Sequence, residues 1–153
     1  MKSAVSVLLC LCIIFSLSAC TAGKKQFVLE ESCNTVSFDM TGITVKGRLD
    51  YKSKDDIAFT LTEPQNLSGI TFTENEIKTD DVKIGYSGPI EESPVYMLIS
   101  IIADMAQKEI YLPYKGSFTF DGGVSSAEYK INFDCENAEI ISIETGKYTY
   151  IFE

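Results

Sequence analysis

The side chains that most often carry covalent or acid–base chemistry are sparse in this chain of 153 residues. Histidine is absent, which excludes Ser/His/Asp and Cys/His triads, imidazole metal ligands and any side chain that ordinarily titrates near neutrality. Carboxylates are plentiful but badly spaced for metal work. Asp55-Asp56, Asp80-Asp81 and Glu91-Glu92 are adjacent pairs, whereas a calcium loop needs alternating oxygen ligands and a glycine at its bend. They read as solvated turns. Asp121-Gly122-Gly123 reads as a hairpin turn, because no helix N-terminus follows it to make a phosphate cradle. No nucleophile elbow or glycine-rich cofactor loop occurs in the sequence. The expectation is a protein that is not an enzyme, with no catalytic residue, no metal and no cofactor. Nucleic acid is excluded as a partner by the net charge of −9, since 22 acidic against 13 basic side chains repel a phosphate backbone.

One of the five cysteines stands in a context that specifies chemistry. Lys2 precedes an apolar run from Ala4 to Leu17, and the run closes on Leu17-Ser18-Ala19-Cys20. It is too short to span about 30 Å of hydrocarbon as a mature helix, and its small-residue ending is that of a secretory signal peptide. A branched residue and two small ones before a cysteine resemble the lipobox of bacterial lipoproteins. The small residues let a peptidase close on the backbone before Cys20, and the thiol is the nucleophile that takes a diacylglycerol. The resemblance implies that residues 1–19 are a cleaved lipoprotein signal peptide and that residues 20–26 are the lipidated Cys20 and a short tether. Residues 27–153 are then a single β-rich domain. About two acyl chains give stable anchoring, so the domain is expected to be exported and held at the cell membrane, on its extracytoplasmic side. Cys10 and Cys12 leave with the leader. Cys33 and Cys135 remain, either joined in a disulfide or present as two small buried hydrophobes.

What must position any site is mostly β-structure. Ile43, Val45, Leu49 and Tyr51 alternate with polar residues, and Gly47 interrupts the apolar set as a bulge would. Ile57, Phe59 and Leu61 follow with the same period, then Ile70 and Phe72, Ile77, and Val82, Ile84 and Tyr86. The period changes after Ser87-Gly88-Pro89. Ser93 is an N-cap candidate with Pro94 at the first helical position, and from Val95 to Lys108 apolar residues fall at helical spacing around nearly the whole circumference. Such a helix is buried on most sides. Strands resume with Phe118 and Phe120, then Tyr129, Ile131 and Phe133, then Ile141 and Ile143, then Tyr148, Tyr150 and Phe152. The predicted fold class is mainly β with one helix: an antiparallel sheet of about ten strands, with one mid-chain helix packed into its concavity or plugging its open mouth.

This order of elements behind a lipobox resembles the LolA-like lipoprotein-carrier superfamily. The local match is Val45-Lys46-Gly47-Arg48-Leu49-Asp50-Tyr51 followed by Ile57-Ala58-Phe59-Thr60-Leu61-Thr62-Glu63-Pro64. The resemblance implies a half-open β-barrel: a strongly curved antiparallel sheet of about ten strands, covered or plugged by the mid-chain helix as a lid over an apolar cavity that accepts acyl chains. Those carriers hold the lid closed with an arginine, whereas the single arginine here, Arg48, falls on the polar face of an early strand. The cavity candidates are Leu49, Phe59, Leu61, Phe72, Tyr86, Leu98, Ile102, Phe118, Phe120, Tyr129 and Phe133; the same residues would equally make a packed core. Two functions follow. One is a membrane-anchored binding module for lipid or another hydrophobic ligand of the cell envelope. The other is a structural or protein-interaction domain of the envelope with a closed core and no ligand. The state of the interior separates them.

Overall fold

The computed structural model describes residues 23–79, 83–85, 93–124 and 127–153. Strands β1 (Lys24–Phe27), β2 (Ser32–Met40), β3 (Ile43–Ser53), β4 (Asp56–Glu63), β5 (Thr71–Thr73), β6 (Glu76–Lys78) and β7 (Lys83–Gly85) precede helix α1 (Pro94–Met105). Strands β8 (Ile110–Pro113), β9 (Ser117–Val124), β10 (Ala127–Asp134), β11 (Glu139–Thr145) and β12 (Thr149–Phe152) follow it. The chain is mainly β with one α-helix among the described residues. Ten strands form one antiparallel sheet in the order β7-β6-β5-β4-β3-β2-β12-β11-β10-β9, and β1 and β8 pair in a separate two-stranded layer. No pairing joins β7 to β9 among the described residues, so hydrogen bonds do not close the sheet into a barrel.

Alternation builds the sheet. On β3, Val45, Leu49 and Tyr51 are buried, and on β4 the buried set is Ile57, Phe59 and Leu61. These side chains share one face of the pleat, and Thr and Lys take the other. The β3–β4 register shifts between Lys46 and Gly47, where the glycine was expected to mark a bulge. A Cβ at residue 47 would lie 2.3 Å from Phe59 Cζ and 2.7 Å from the Thr60 carbonyl oxygen, so this position admits no side chain. Strand β4 closes at Pro64, after a cis peptide bond, and a single 3-10 turn over Gln65–Leu67 leads to β5.

Four elements depart from the expectations. The expected tether is partly structured: β1 pairs along its length with β8, Lys24 opposite Pro113 and Phe27 opposite Ile110. Strand β2, which the alternation did not reveal, pairs with β3 from Ser32–Tyr51 to Met40–Ile43. Its inner face is both apolar and buried only at Val36 and Phe38, and Ser32 and Asn34 continue that face with polar groups. Asp121-Gly122-Gly123 is not a turn but the second half of β9, with Gly122 opposite Tyr129. Helix α1 stops at Met105 rather than Lys108, because the backbone tightens there to three-residue turns, Gln107 N–H to Asp104 O at 3.0 Å and Lys108 N–H to Met105 O at 3.1 Å. Strand-pair registers for Ala127–Asp134, Glu139–Thr145 and Thr149–Phe152 give the antiparallel meander expected at the end of the chain.

Helix α1 explains how the sheet bends. It packs on β4 and β5 and also on β9. Strands β4 and β9 are six steps apart in the sheet order, or roughly 29 Å across a flat sheet at about 4.8 Å per step. A helix about 10 Å wide reaches both only if the sheet curls around it, which the right-handed twist of strands favours.

Candidate functional site

The interior face of the sheet is the place where a hydrophobic ligand would sit, and α1 occupies it. Pro94, Val95, Tyr96, Met97, Leu98, Ile99, Ile101, Ile102 and Met105 are all buried. The sequence gives this segment almost no polar face to turn outward, so burial on most sides is its stable placement, and Ser100 alone of its residues is exposed. Pro94 takes the first helical position, where its missing N–H costs nothing. The Ser93 carbonyl accepts the Met97 N–H at 2.9 Å, although the Ser93 hydroxyl makes no cap.

Two tyrosines of the sheet hold the helix ends. Tyr150 on β12 donates its hydroxyl to the Pro94 carbonyl at 2.7 Å. Tyr129 on β10 donates to Asp104 Oδ2 at 2.5 Å, and Lys108 flanks the other carboxylate oxygen at 3.4 Å. Burial raises the pKa of both phenols; the Asp104 carboxylate adds to the effect at Tyr129, and Tyr148 adds to it at Tyr150. On the opposite flank the ring of Phe72 meets Tyr96 edge-on, with centroids 6.0 Å apart. Arg48 takes no part. It lies exposed on the outer face with its Nε 3.0 Å from Asp50 Oδ2.

The cavity candidates converge here. Leu49, Phe59, Leu61, Leu98, Ile102, Tyr129 and Phe133 belong to one buried cluster, and Phe72, Phe118 and Phe120 pack against its margin. Tyr86 lies outside the described residues, as does Cys20. The geometry brings the set together as a core around the helix. Two surface clefts among the described residues lie elsewhere. One of about 630 Å³ opens at the end of the sheet where β12 stops, beneath the segment that joins β1 to β2. Its apolar walls include Phe27, Leu29, Ile140 and Phe152, and its acidic groups are Glu30, Glu139 and Glu153. A second cleft of about 410 Å³ adjoins it, sharing Glu139, Ile140 and Phe152 and extending to Ile141 and Ser117. None of the cavity candidates lines either cleft. Sequence reasoning missed this region because it is made by the ends of distant strands.

Cys33 and Cys135 are both free, the first exposed and the second buried. Cys135 therefore behaves as a small core residue. Cys33 sits opposite Asp50 on β3, and that carboxylate pushes its thiol pKa up, away from thiolate chemistry. Of the acidic pairs, Asp56 begins β4 and lies 3.8 Å from Lys52; Asp80-Asp81 and Glu91-Glu92 lie wholly outside the described residues. Among the described residues no three Cys, Asp or Glu side chains cluster as metal ligands, and no helix is long and apolar enough to cross a membrane. Compared with known protein families, curated proteins and solved structures, the chain matches none.

Proposed function

We propose that the chain is an exported lipoprotein, anchored to the cell membrane by a diacylglycerol on Cys20, whose domain serves protein interaction in the envelope and carries no hydrophobic cargo. In this reading the sheet is a half-open barrel plugged by its own helix, a variation on the LolA-like plan, and no catalysis is assigned. The observation that carries it is the burial of nine α1 residues in the space a cargo would need. Displacing them would expose that apolar surface at roughly 25 cal/mol for every Å². Native mass spectrometry of the Cys20→Ser chain tests the reading: the expected spectrum holds protein mass alone, and a stoichiometric lipid would overturn it. The same substitution should release the chain from membranes, and retention with an unprocessed leader would argue for a helical anchor.

The carrier reading keeps one observation in its favour. Both hydroxyl anchors of α1 come from β10 and β12, in the half of the sheet that follows the helix in sequence. A lid would swing from that flank and open at β4 and β5. Co-purified lipid that is lost on cross-linking α1 to β4 would favour this second reading.

A further inference from the structure

Strands β1 and β8 form a small layer whose two sides differ in kind. Phe27, Ile110 and Leu112 turn inward: Ile110 and Leu112 are buried, and the Phe27 ring meets Phe133 of β10 edge-on with centroids 4.9 Å apart. Lys25, on the same side by register, donates to the Glu136 carbonyl at 3.0 Å. These contacts fix the layer to the body of the domain. Alternation then turns Lys24, Gln26 and Tyr111 outward. Of the eight exposed large hydrophobic side chains among the described residues, Val28, Tyr111 and Tyr114 belong to this layer or directly follow one of its strands. Lys24 and Lys115 are exposed and enter no ion pair among the described residues. Neither strand carries a carboxylate. Tyr111 meets one only past the end of the layer away from Lys24, where its hydroxyl donates to Glu109 Oε2 at 3.4 Å.

The lipid anchor decides what this outer side meets. Cys20 lies three residues before Gly23, and three residues of chain span at most about 11 Å. The Tyr114 ring lies against Gly23, since a Cβ at that glycine would come within 2.3 Å of Tyr114 Cε2. A diacylglycerol on Cys20 therefore holds this ring beside the headgroup layer, which is roughly 5–8 Å deep on each side of a bilayer. Tyrosine favours that depth, with its ring toward the acyl chains and its hydroxyl in water. Unpaired lysines beside it answer the phosphates that phospholipids carry. Elsewhere the net charge of −9 repels an anionic leaflet, which favours turning the basic and aromatic side down. The other exposed apolar pair at a strand end, Met40 and Ile43 at the β2–β3 turn, lies by register at the end of the sheet opposite Ser117 and Asp134.

We propose that the outer side of the β1–β8 layer, led by the Tyr114 ring, is the surface on which the domain rests against the phospholipid headgroups of its own membrane. The assignment rests on the Cys20 anchor of the reading above and adds a fixed orientation to it: the Met40–Ile43 turn faces away from the bilayer. The test places the full lipidated chain, isotope-labelled, in nanodiscs of phosphatidylcholine and phosphatidylglycerol in which a fraction of the headgroups carries a gadolinium chelate. Strong relaxation enhancement is expected at the amides of Lys24, Gln26, Tyr111 and Tyr114, and little at Thr41 and Gly42. Lys24→Glu with Lys115→Glu should lower the enhancement at Tyr111 at least about fivefold while the chain stays on the disc. Both lysines are exposed and unpaired, so the folded state tolerates their replacement. Equal enhancement at Tyr111 and Thr41, the sign of a domain that swings freely on its tether, would overturn the proposal, as would an unchanged pattern in the double variant. Shifts of the same amides with protein concentration in gadolinium-free discs would make this side a self-association surface and would overturn it too. If such a result comes while Cys20→Ser still frees the chain from membranes, the orientation alone falls; if the Cys20→Ser chain stays on the disc, the anchored reading falls with it.

Discussion

Gly122 and Tyr129 face each other across β9 and β10, and the tyrosine ring covers the spot where residue 122 would carry a side chain: a Cβ there would lie 2.2 Å from Tyr129 Cζ. The glycine is thus part of the means by which Tyr129 lies flat enough to reach Asp104. Gly122→Ala should destabilise the fold by about 1–3 kcal/mol through overpacking. Gly123→Ala is the control, since its Cβ would meet nothing closer than the Ala127 carbonyl at 3.9 Å. Urea midpoints decide it: equal midpoints for the two variants would contradict the packing described.

The Tyr129–Asp104 contact should behave as a charge-assisted hydrogen bond at the edge of the core. Tyr129→Phe is expected to cost about 1.5–3 kcal/mol. Combined with Asp104→Asn in a double-mutant cycle, the two losses should add to clearly more than the loss in the double variant. Additive losses would mean that the hydroxyl contributes nothing through Asp104.

Alkaline pH should loosen the helix ends. Tyr129 and Tyr150 both have folded-state pKa values raised above the ordinary phenol value of about 10. Their protonated forms are the ones the fold accepts, so the associated stability is complete below about pH 10 and is lost as pH rises through the folded-state values. The stability difference between the wild-type chain and Tyr129→Phe/Tyr150→Phe should therefore be constant below about pH 10 and shrink above it. Chemical denaturation across that range checks this, and a difference that stays level at the alkaline end would refute it.

Truncations in α1 should separate core from surface. Leu98→Ala and Ile102→Ala remove side chains that are 0% and 1% exposed, and each is expected to cost about 2–5 kcal/mol. Ser100→Ala, on the exposed position of the same helix, should change stability by less than about 0.5 kcal/mol. If Leu98→Ala were as mild as Ser100→Ala, α1 would be a loosely held lid and the carrier reading would gain.

Much of this fold is legible in the chain because its inner and outer residues differ in kind. Val45, Leu49 and Tyr51, or Tyr129, Ile131 and Phe133, announce their face by alternation, and the nearly unbroken apolar circumference of α1 announces burial. Strand β2 escapes because Asn34 and Ser32 occupy its inner face while Ser37, on the outer face, is 9% exposed. The Gly122-Gly123 pair misleads because local preference makes it a turn, whereas the ring of Tyr129 requires a position without a side chain. Whether a helix or a ligand fills a curved sheet is a question of volume among residues far apart in sequence, and periodicity does not record it.

The helix at the centre of the sheet is also a clock. Its walls come from β4 and β5, which are synthesised before it, and from β9, β10 and β12, which come after. Tyr150 lies 56 residues beyond the Pro94 carbonyl that it binds. Until those last strands are available, α1 has no complete enclosure and the core cannot close, since contacts this distant in sequence form late. On the proposed route of export, a chain that stays open until β12 emerges remains threadable through a translocation channel, and gains its compact form only on the far side.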